Sequence, residues 1–330
     1  LPLESDLKSN DVYHLSKLAY LEYLESGITG VLDMYFFADA IKKACRDFGM
    51  RSAVLLTPRN NNLNKVETLS SNCLVNEILG FHADYTASRS DLQNLSQLSN
   101  KLKAPIYTHC SETIEEVKKR QKISHLTPVE YLNEFKLFNY GGGIFHGVHL
   151  SKNDIKILKQ HDVYVCTCPS SNLKLVSGIA PIKELTQKGI MVAIGTDGAG
   201  SNNSLDMFKE MQLTMLLSKY RENDPASLKA FEVLKMATVN GARFMNLNNS
   251  DILAKGKSAD IIMVDLHAPN MRPCHDIINN LVYSASKANV VMTMIDGKIL
   301  YYKHKFYLKE DAKKIYQNAN KVIKRLTKKN

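Results

Sequence analysis

The sequence predicts an α/β fold: a parallel sheet wrapped by helices, one strand short of a closed (β/α)8 barrel of the TIM type, followed by a small β-sandwich domain represented by its C-terminal strands. Three observations carry this expectation. Short apolar runs alternate with helical patterns from residue 11 onward, which suits a parallel sheet with helices outside it. Seven such runs can be counted, where a closed barrel needs eight. After residue 250 the texture changes to one strand and a hairpin, too little for an independent sandwich.

Taken in order, the first helix spans Asp11 to Ser26, with Val12, Leu15, Leu18 and Leu21 at helical spacing and a stop at Gly27. GVLDMYF (30–36) is the first strand, and a helix ending at Gly49 leads to SAVLLT (52–57) and an Asn-rich irregular stretch. ILGFH (78–82) precedes a helix opened by Ser88, whose Leu92, Leu95, Leu98 and Leu102 form one stripe. PIYTH (105–109), GIFH (143–146), VYVCTC (163–168) and VAIGTD (192–197) follow, each succeeded by a helix; Ser151 with Asp154 reads as a cap for the one after residue 146. Cys166 and Cys168 alternate along a strand and should share a face as packing residues rather than zinc ligands. ADIIMVDL (259–266) is a strand, and NVVMTMI and KILYY form a hairpin on Asp296-Gly297. The expected organisation is a barrel over 1–250, a composite β-domain over 251–309 and a Lys-rich helix over 310–330.

At 330 residues the chain can bury a large core. Its net charge of +10 raises the question of nucleic acid, but the basic residues do not cluster. The exception is the C-terminal helix, where Ile315, Ala319, Val322 and Leu326 fall on one face and only Tyr316 interrupts the charges, so a solvated amphipathic helix is expected and no nucleic-acid partner. No apolar run approaches a membrane span, and LPLESDLKSN lacks the basic and apolar regions of a signal peptide. The six cysteines form no CxxC pair, so reduced thiols in a cytoplasmic protein are expected, with a small-molecule substrate. The sequence leaves open whether the chain forms a homo-oligomer.

Four strands end in a polar residue: His82, His109, His146 and Asp197, with Glu112 three residues past His109. A carboxylate where a buried strand meets a turn is costly unless compensated, and Asp197 alone could cap a helix beginning near Ser204. Four such endings beside a glutamate are harder to assign to capping. In a barrel the chemistry lies at the C-terminal strand ends. Imidazole and carboxylate are the donors that a catalytic Zn²⁺ or Fe²⁺ takes, the ion lowers the pKa of a water to about 7, and an adjacent carboxylate can carry the proton.

THCSET (108–113), FHGVHL (145–150), CPSSNLKL (168–175), GIAPI (178–182), GTDGAGSNNSLDMF (195–208) and GKSADIIMVDL (256–266) resemble the metal-dependent amidohydrolase superfamily, within it the branch of 5′-methylthioadenosine/S-adenosylhomocysteine deaminases and related chlorohydrolases. The resemblance implies one divalent metal, zinc before iron, held by an HxH pair on a first strand together with His109 and Asp197. It implies Glu112 as proton shuttle, His146 as the group orienting the attacking water, His82 as a substrate contact and Glu4 as the carboxylate on the ribose hydroxyls. The implied reaction is hydrolytic deamination of a 6-aminopurine nucleoside; hydrolysis at another aminated or halogenated ring and a non-catalytic scaffold are the alternatives. Two departures stand out. No HxH occurs in these residues, so that pair and the eighth strand are expected upstream of Leu1, and the chain alone is expected to be inactive. Where family members that take S-adenosylhomocysteine carry arginines, this chain has Leu56 and a shortened loop with Arg59 as the one nearby arginine, so Arg59 is the candidate substrate contact there, and methylthioadenosine or adenosine is expected to be taken at least as well as S-adenosylhomocysteine.

Overall fold

The computed structural model describes residues 3–58, 63 and 66–327. Seven strands form one wholly parallel sheet, in the order β1 (Gly30–Asp33), β2 (Arg51–Leu56), β3 (Val75–Ala83), β4 (Ile106–Cys110), β5 (Gly142–His146), β6 (Val163–Thr167) and β7 (Val192–Ile194). Helices precede, separate and follow these strands: α1 (Ser9–Glu25), α2 (Ala38–Phe48), α3 (Arg89–Leu102), α4 (Ile114–Ser124), α5 (Pro128–Glu134), α6 (Lys152–Gln160), α7 (Pro169–Lys174), α8 (Ile182–Gln187), α9 (Ala199–Asn202), α10 (Met207–Glu222), α11 (Ala230–Ala237) and α12 (Val239–Phe244). This is the curled sheet of a TIM-type barrel. Its edges are β1 and β7, and among the described residues no strand pairs with both.

Side-chain alternation sorts each strand between two cores. Val54, Ile106, Ile144, Val165 and Val192 point outward to the helices, while Leu55, Tyr107, Phe145, Cys166 and Ala193 fill the interior. Cys168 joins the interior beside Cys166, the shared face expected of the pair. From below, Phe244 at the end of α12 plugs the barrel, with its ring edge-on to Tyr107 at 5.4 Å and to Phe145 at 5.6 Å. Glycine at 143 makes room for it, because a Cβ there would stand 2.5 Å from the Phe244 ring.

The second layer is an antiparallel sheet of β8 (Ile261–Val264), β9 (Val290–Ile295), β10 (Lys298–Tyr302) and β11 (Lys305–Phe306), in the order β11-β10-β9-β8, with α13 (Ile277–Tyr283) between β8 and β9. Asp296 and Gly297 both have positive φ, 51° and 75°, as the two-residue hairpin turn requires. Helix α1 is held to this sheet by the Thr293 hydroxyl, which donates to Leu24 O at 2.7 Å. α14 (Ala312–Thr327) lays its apolar face, Ile315, Ala319, Val322 and Leu326, against the protein, and ion pairs Lys17–Glu310 and Arg325–Asp11 flank it.

Some expectations need correction. The first helix starts at Ser9 and ends at Glu25. β1 stops at Asp33, not residue 36: Met34-Tyr35-Phe36 has strand composition, but the chain has already reached the barrel mouth, where Tyr35 is exposed. The helix expected near Ser204 begins at Met207, and its cap is Asp206, which accepts from Phe208 N at 3.0 Å and Lys209 N at 3.4 Å. Neither β11 nor α13 was expected.

Candidate active site at the strand ends

His82 and His109 lie on the inward-facing register of β3 and β4, two residues beyond Gly80 and Tyr107 respectively. Their rings stand 4.9 Å apart. His109 Nδ1 donates to His82 O at 2.7 Å, which leaves Nε2 as the lone-pair nitrogen of the neutral ring. Burial first, then the neighbouring His146 and His82, push the His109 pKa down to about 3, so it is a neutral donor at physiological pH.

His146 is on the outward register of β5, directly across from Cys110. A left-handed backbone, φ 70°, breaks the alternation there, and the ring stacks on His109 at 5.4 Å. It is buried, and its Nδ1 donates to Asn172 Oδ1 at 2.8 Å, an assignment that makes Nε2 the acceptor facing the site. Glu112 Oε2 is 3.8 Å from that Nε2, and Glu112 Oε1 accepts from the Ser177 hydroxyl at 3.4 Å.

Asp197 also has a left-handed backbone, φ 57°. It caps no long helix: one carboxylate oxygen accepts from Gly198 N and the other from Ser171 Oγ, both at 2.6 Å. Behind it, fully buried Glu210 links α7 to α9, accepting from Ser170 N at 3.0 Å and from Asn202 Nδ2 at 2.8 Å, while the same Asn202 nitrogen donates to Thr196 O, just after β7, at 2.7 Å. Burial raises the pKa of Glu210.

The structure therefore brings His82, His109, Glu112 and His146 together, with Asp197 close enough to act electrostatically on His109. Glu4 approaches the mouth from another side: it lies in the turn Glu4–Asp6 and accepts from the Tyr35 hydroxyl at 2.7 Å. Arg59 lies outside the described residues. Leu56 is buried in the helix-side core. Ser171, Asn172 and Ser177 were not anticipated from the sequence. Their signal was the polar run SSN where a strand meets a Pro-started helix, followed by the serine that opens GIAP.

The donors fit a divalent cation by chemistry: a neutral imidazole with a free nitrogen and a carboxylate with lone pairs to spare. They do not complete a shell, and among the described residues no three His, Cys, Asp or Glu side chains converge as a cation site.

A family model, the amidohydrolase family, matches residues 3–300, and the chain belongs to that family. Among its relatives, a 5-methylthioadenosine/S-adenosylhomocysteine deaminase of Pelotomaculum thermopropionicum is 37% identical, over 98% of this chain and 78% of the relative. A 5′-deoxyadenosine deaminase of Methanococcus maripaludis is 34% identical over 99% and 80%. An adenosine deaminase of Xanthomonas campestris, solved with bound zinc, superposes with a TM-score of 0.91 at 28% identity, covering 99% of this chain and 78% of that one.

Proposed function

We propose that this chain forms the catalytic body of a metal-dependent hydrolase that deaminates neutral 6-aminopurine nucleosides and releases ammonia. The observation that carries the reading is the Glu112 carboxylate, set between His146 Nε2 and the Ser177 hydroxyl beside His109. The names of the relatives support the substrate class, and the Xanthomonas structure, solved with bound zinc, supports a divalent metal.

His109 and Asp197 would hold the ion, with an HxH pair that none of these 330 residues supplies. A divalent ion bound there supplies Lewis acidity that brings the pKa of a water to about 7. Asp197 accepts a proton from the attacking water. Glu112, protonated at the outset, gives its proton to the ring nitrogen next to the aminated carbon as the C–O bond forms. It then takes the proton of the added hydroxyl and passes it to the amine, the C–N bond breaks to release ammonia and leave a carbonyl, and the proton held by Asp197 returns to Glu112. His146 Nε2 orients the incoming oxygen, its own orientation fixed by Asn172. His82 and Glu4 contact the substrate, Glu4 at the ribose hydroxyls. Buried Leu56 offers no charge to a substrate carboxylate, which favours methylthioadenosine, 5′-deoxyadenosine or adenosine over S-adenosylhomocysteine. We also assign residues 1–250 to the barrel, 251–309 to the β-domain and 310–330 to the closing helix, and place the protein, with six free thiols, in the cytoplasm. No helix is long and apolar enough to cross a membrane among the described residues.

Glu112→Gln tests the reading in the protein expressed from its full coding sequence. The amide keeps the size and the Ser177 contact but carries no proton, so turnover of methylthioadenosine should fall about 10²- to 10⁴-fold with metal content unchanged. Activity within about threefold of wild type would refute a proton-carrying role, the general acid–base effect being absent.

A further inference from the structure

Glu116 lies one helical turn beyond Glu112, on α4, and makes none of the contacts that Glu112 makes. Both of its carboxylate oxygens are taken by backbone donors: Oε1 accepts from Ser111 N and Oε2 from Glu112 N, each at 2.8 Å. Its own N–H donates to the Thr113 hydroxyl at 3.1 Å, which caps the helix. Glu115, next to it, is exposed. Of these three acids only Glu112 is directed at the strand ends, and only Glu116 grips the chain that carries it.

The gripped segment is strained. Ser111 has φ 54°, in the left-handed region that a serine adopts only when its surroundings hold it there. Its carbonyl accepts from both Val148 N at 3.0 Å and His149 N at 2.9 Å, on the loop that follows His146. His149 Nε2 donates to Ser177 O at 2.7 Å, and the Ser177 hydroxyl returns to Glu112. The circuit Glu116, Ser111, His149, Ser177, Glu112 thus closes on the proton carrier from two directions. Burial first, with the nearby Asp84 carboxylate, holds the Glu116 pKa above its ordinary value, against the opposing pull of the backbone hydrogen bonds it accepts from Ser111 and Glu112.

We propose that Glu116 is a positioning residue of the active site: its carboxylate fixes the peptide between Ser111 and Glu112 and so aims the Glu112 side chain at the reacting ring. This rests on the reading of Glu112 as proton carrier. A displacement of about 1 Å in such a group costs on the order of 10²-fold in rate.

The test compares Glu116→Gln, Glu116→Asp, Glu112→Gln and Ser88→Ala in full-length, metal-loaded protein. The last removes the cap of α3, on a different strand-to-helix connection, and reports what lost helix capping alone does. Gln at 116 keeps one acceptor and turns an NH2 group toward the other backbone N–H. Expected for Glu116→Gln are a kcat lower by roughly 10- to 100-fold, a KM within about threefold, unchanged metal content, and faster amide hydrogen exchange at Ser111 and Glu112. Glu116→Asp should recover part of kcat and of the exchange protection, and Ser88→Ala should lower Tm while leaving kcat in place. A Glu116→Gln kcat within about threefold of wild type, with Glu112→Gln inactive, overturns the positioning role and leaves the proton carrier standing. Unchanged exchange at the two amides overturns it even where activity falls. If Glu112→Gln stays active, the proton-carrier reading fails by itself, and the exchange rates alone then decide whether Glu116 fixes this peptide.

Discussion

Arg51→Met should destabilise the protein by about 3–5 kcal/mol, the usual consequence of removing one partner of a buried ion pair. Arg51 opens β2 and Asp260 precedes β8, so the pair joins the barrel to the antiparallel sheet; their side chains are 6% and 3% exposed. The guanidinium engages both Asp260 oxygens, Nη2 to Oδ1 at 2.9 Å and Nε to Oδ2, and also donates to Cys73 O. Asp260 Oδ1 accepts in addition from Asp296 N at 2.8 Å, in the hairpin turn. Methionine preserves the apolar stem but leaves the Asp260 charge with that single backbone donor. Adding Asp260→Asn removes the stranded charge and should restore roughly half of the loss, a coupling outside the range of independent sites. The chain has no tryptophan and 15 tyrosines, so urea unfolding is followed by tyrosine fluorescence together with far-UV circular dichroism. A loss under about 1 kcal/mol for Arg51→Met, or strict additivity in the double variant, would show that solvent reaches the pair and that the two layers are not held by it.

His109→Ala in full-length protein should reduce bound divalent metal at least tenfold, read by metal analysis after dialysis; equal metal content would remove His109 from the donor set. In chelator-treated protein, the low His109 pKa gives a pH window. The unfolded ring binds a proton below about 6.5 and the folded one only near 3, so stability is full above the first value and declines as pH falls toward the second, by at most about 1.4 kcal/mol per pH unit. Urea unfolding between pH 7 and 4 should show that slope in wild type and a shallower one in His109→Asn; equal slopes would place the titrating group elsewhere. In assays following loss of adenine absorbance, methylthioadenosine and 5′-deoxyadenosine should show kcat/KM at least equal to that of S-adenosylhomocysteine. A strong preference for the latter, abolished by Arg59→Ala, would assign its carboxylate to Arg59.

The barrel was legible because each element announces itself locally. A Leu stripe after Ser88, a cap at Ser151 and Asp-Gly at a two-residue turn are short-range signals, and all three sit in the structure where their chemistry places them. His82, His109 and Asp197 were legible as strand-end polar groups. His146 was legible by position but not by direction, since simple alternation points it at the helices until the left-handed residue reverses it. Asp33 at the end of β1, its carboxyl pushed up to about 6 by burial, is hidden in the sequence because it sits inside a run of strand-forming residues that extends through Phe36. Asn172, Ser171, Ser177, Glu116 and Glu210 could not be ranked from the sequence. Their partners come from other loops, and nothing in the spacing of a polar residue records what lies opposite it in space.

Among the described residues, three of the fifteen left-handed ones that are not glycine, Ser111, His146 and Asp197, stand where the chemistry is proposed. Most of the left-handed residues outside the site that are not glycine have local reasons: Lys103, His125 and Asn223 each close a helix. Ser111, His146 and Asp197 close none. At about 1–3 kcal/mol each, such conformations persist only where the surroundings over-determine them. Each has its brace: the Glu116 carboxylate on Ser111 N, the Asn172 amide on the His146 ring, and the Ser171 hydroxyl with Gly198 N on the Asp197 carboxylate. All three braces are polar and come from loops or helix ends, while the apolar floor of Tyr107, Phe145, Cys166, Cys168 and Phe244 lies below them. The floor can therefore be repacked with loss of stability but little effect on aim, whereas removal of one brace lets a single side chain relax with the fold intact. Damage of the second kind lowers kcat before it lowers Tm, and that separation is the signature by which positioning residues in this barrel can be told from those that only hold it together.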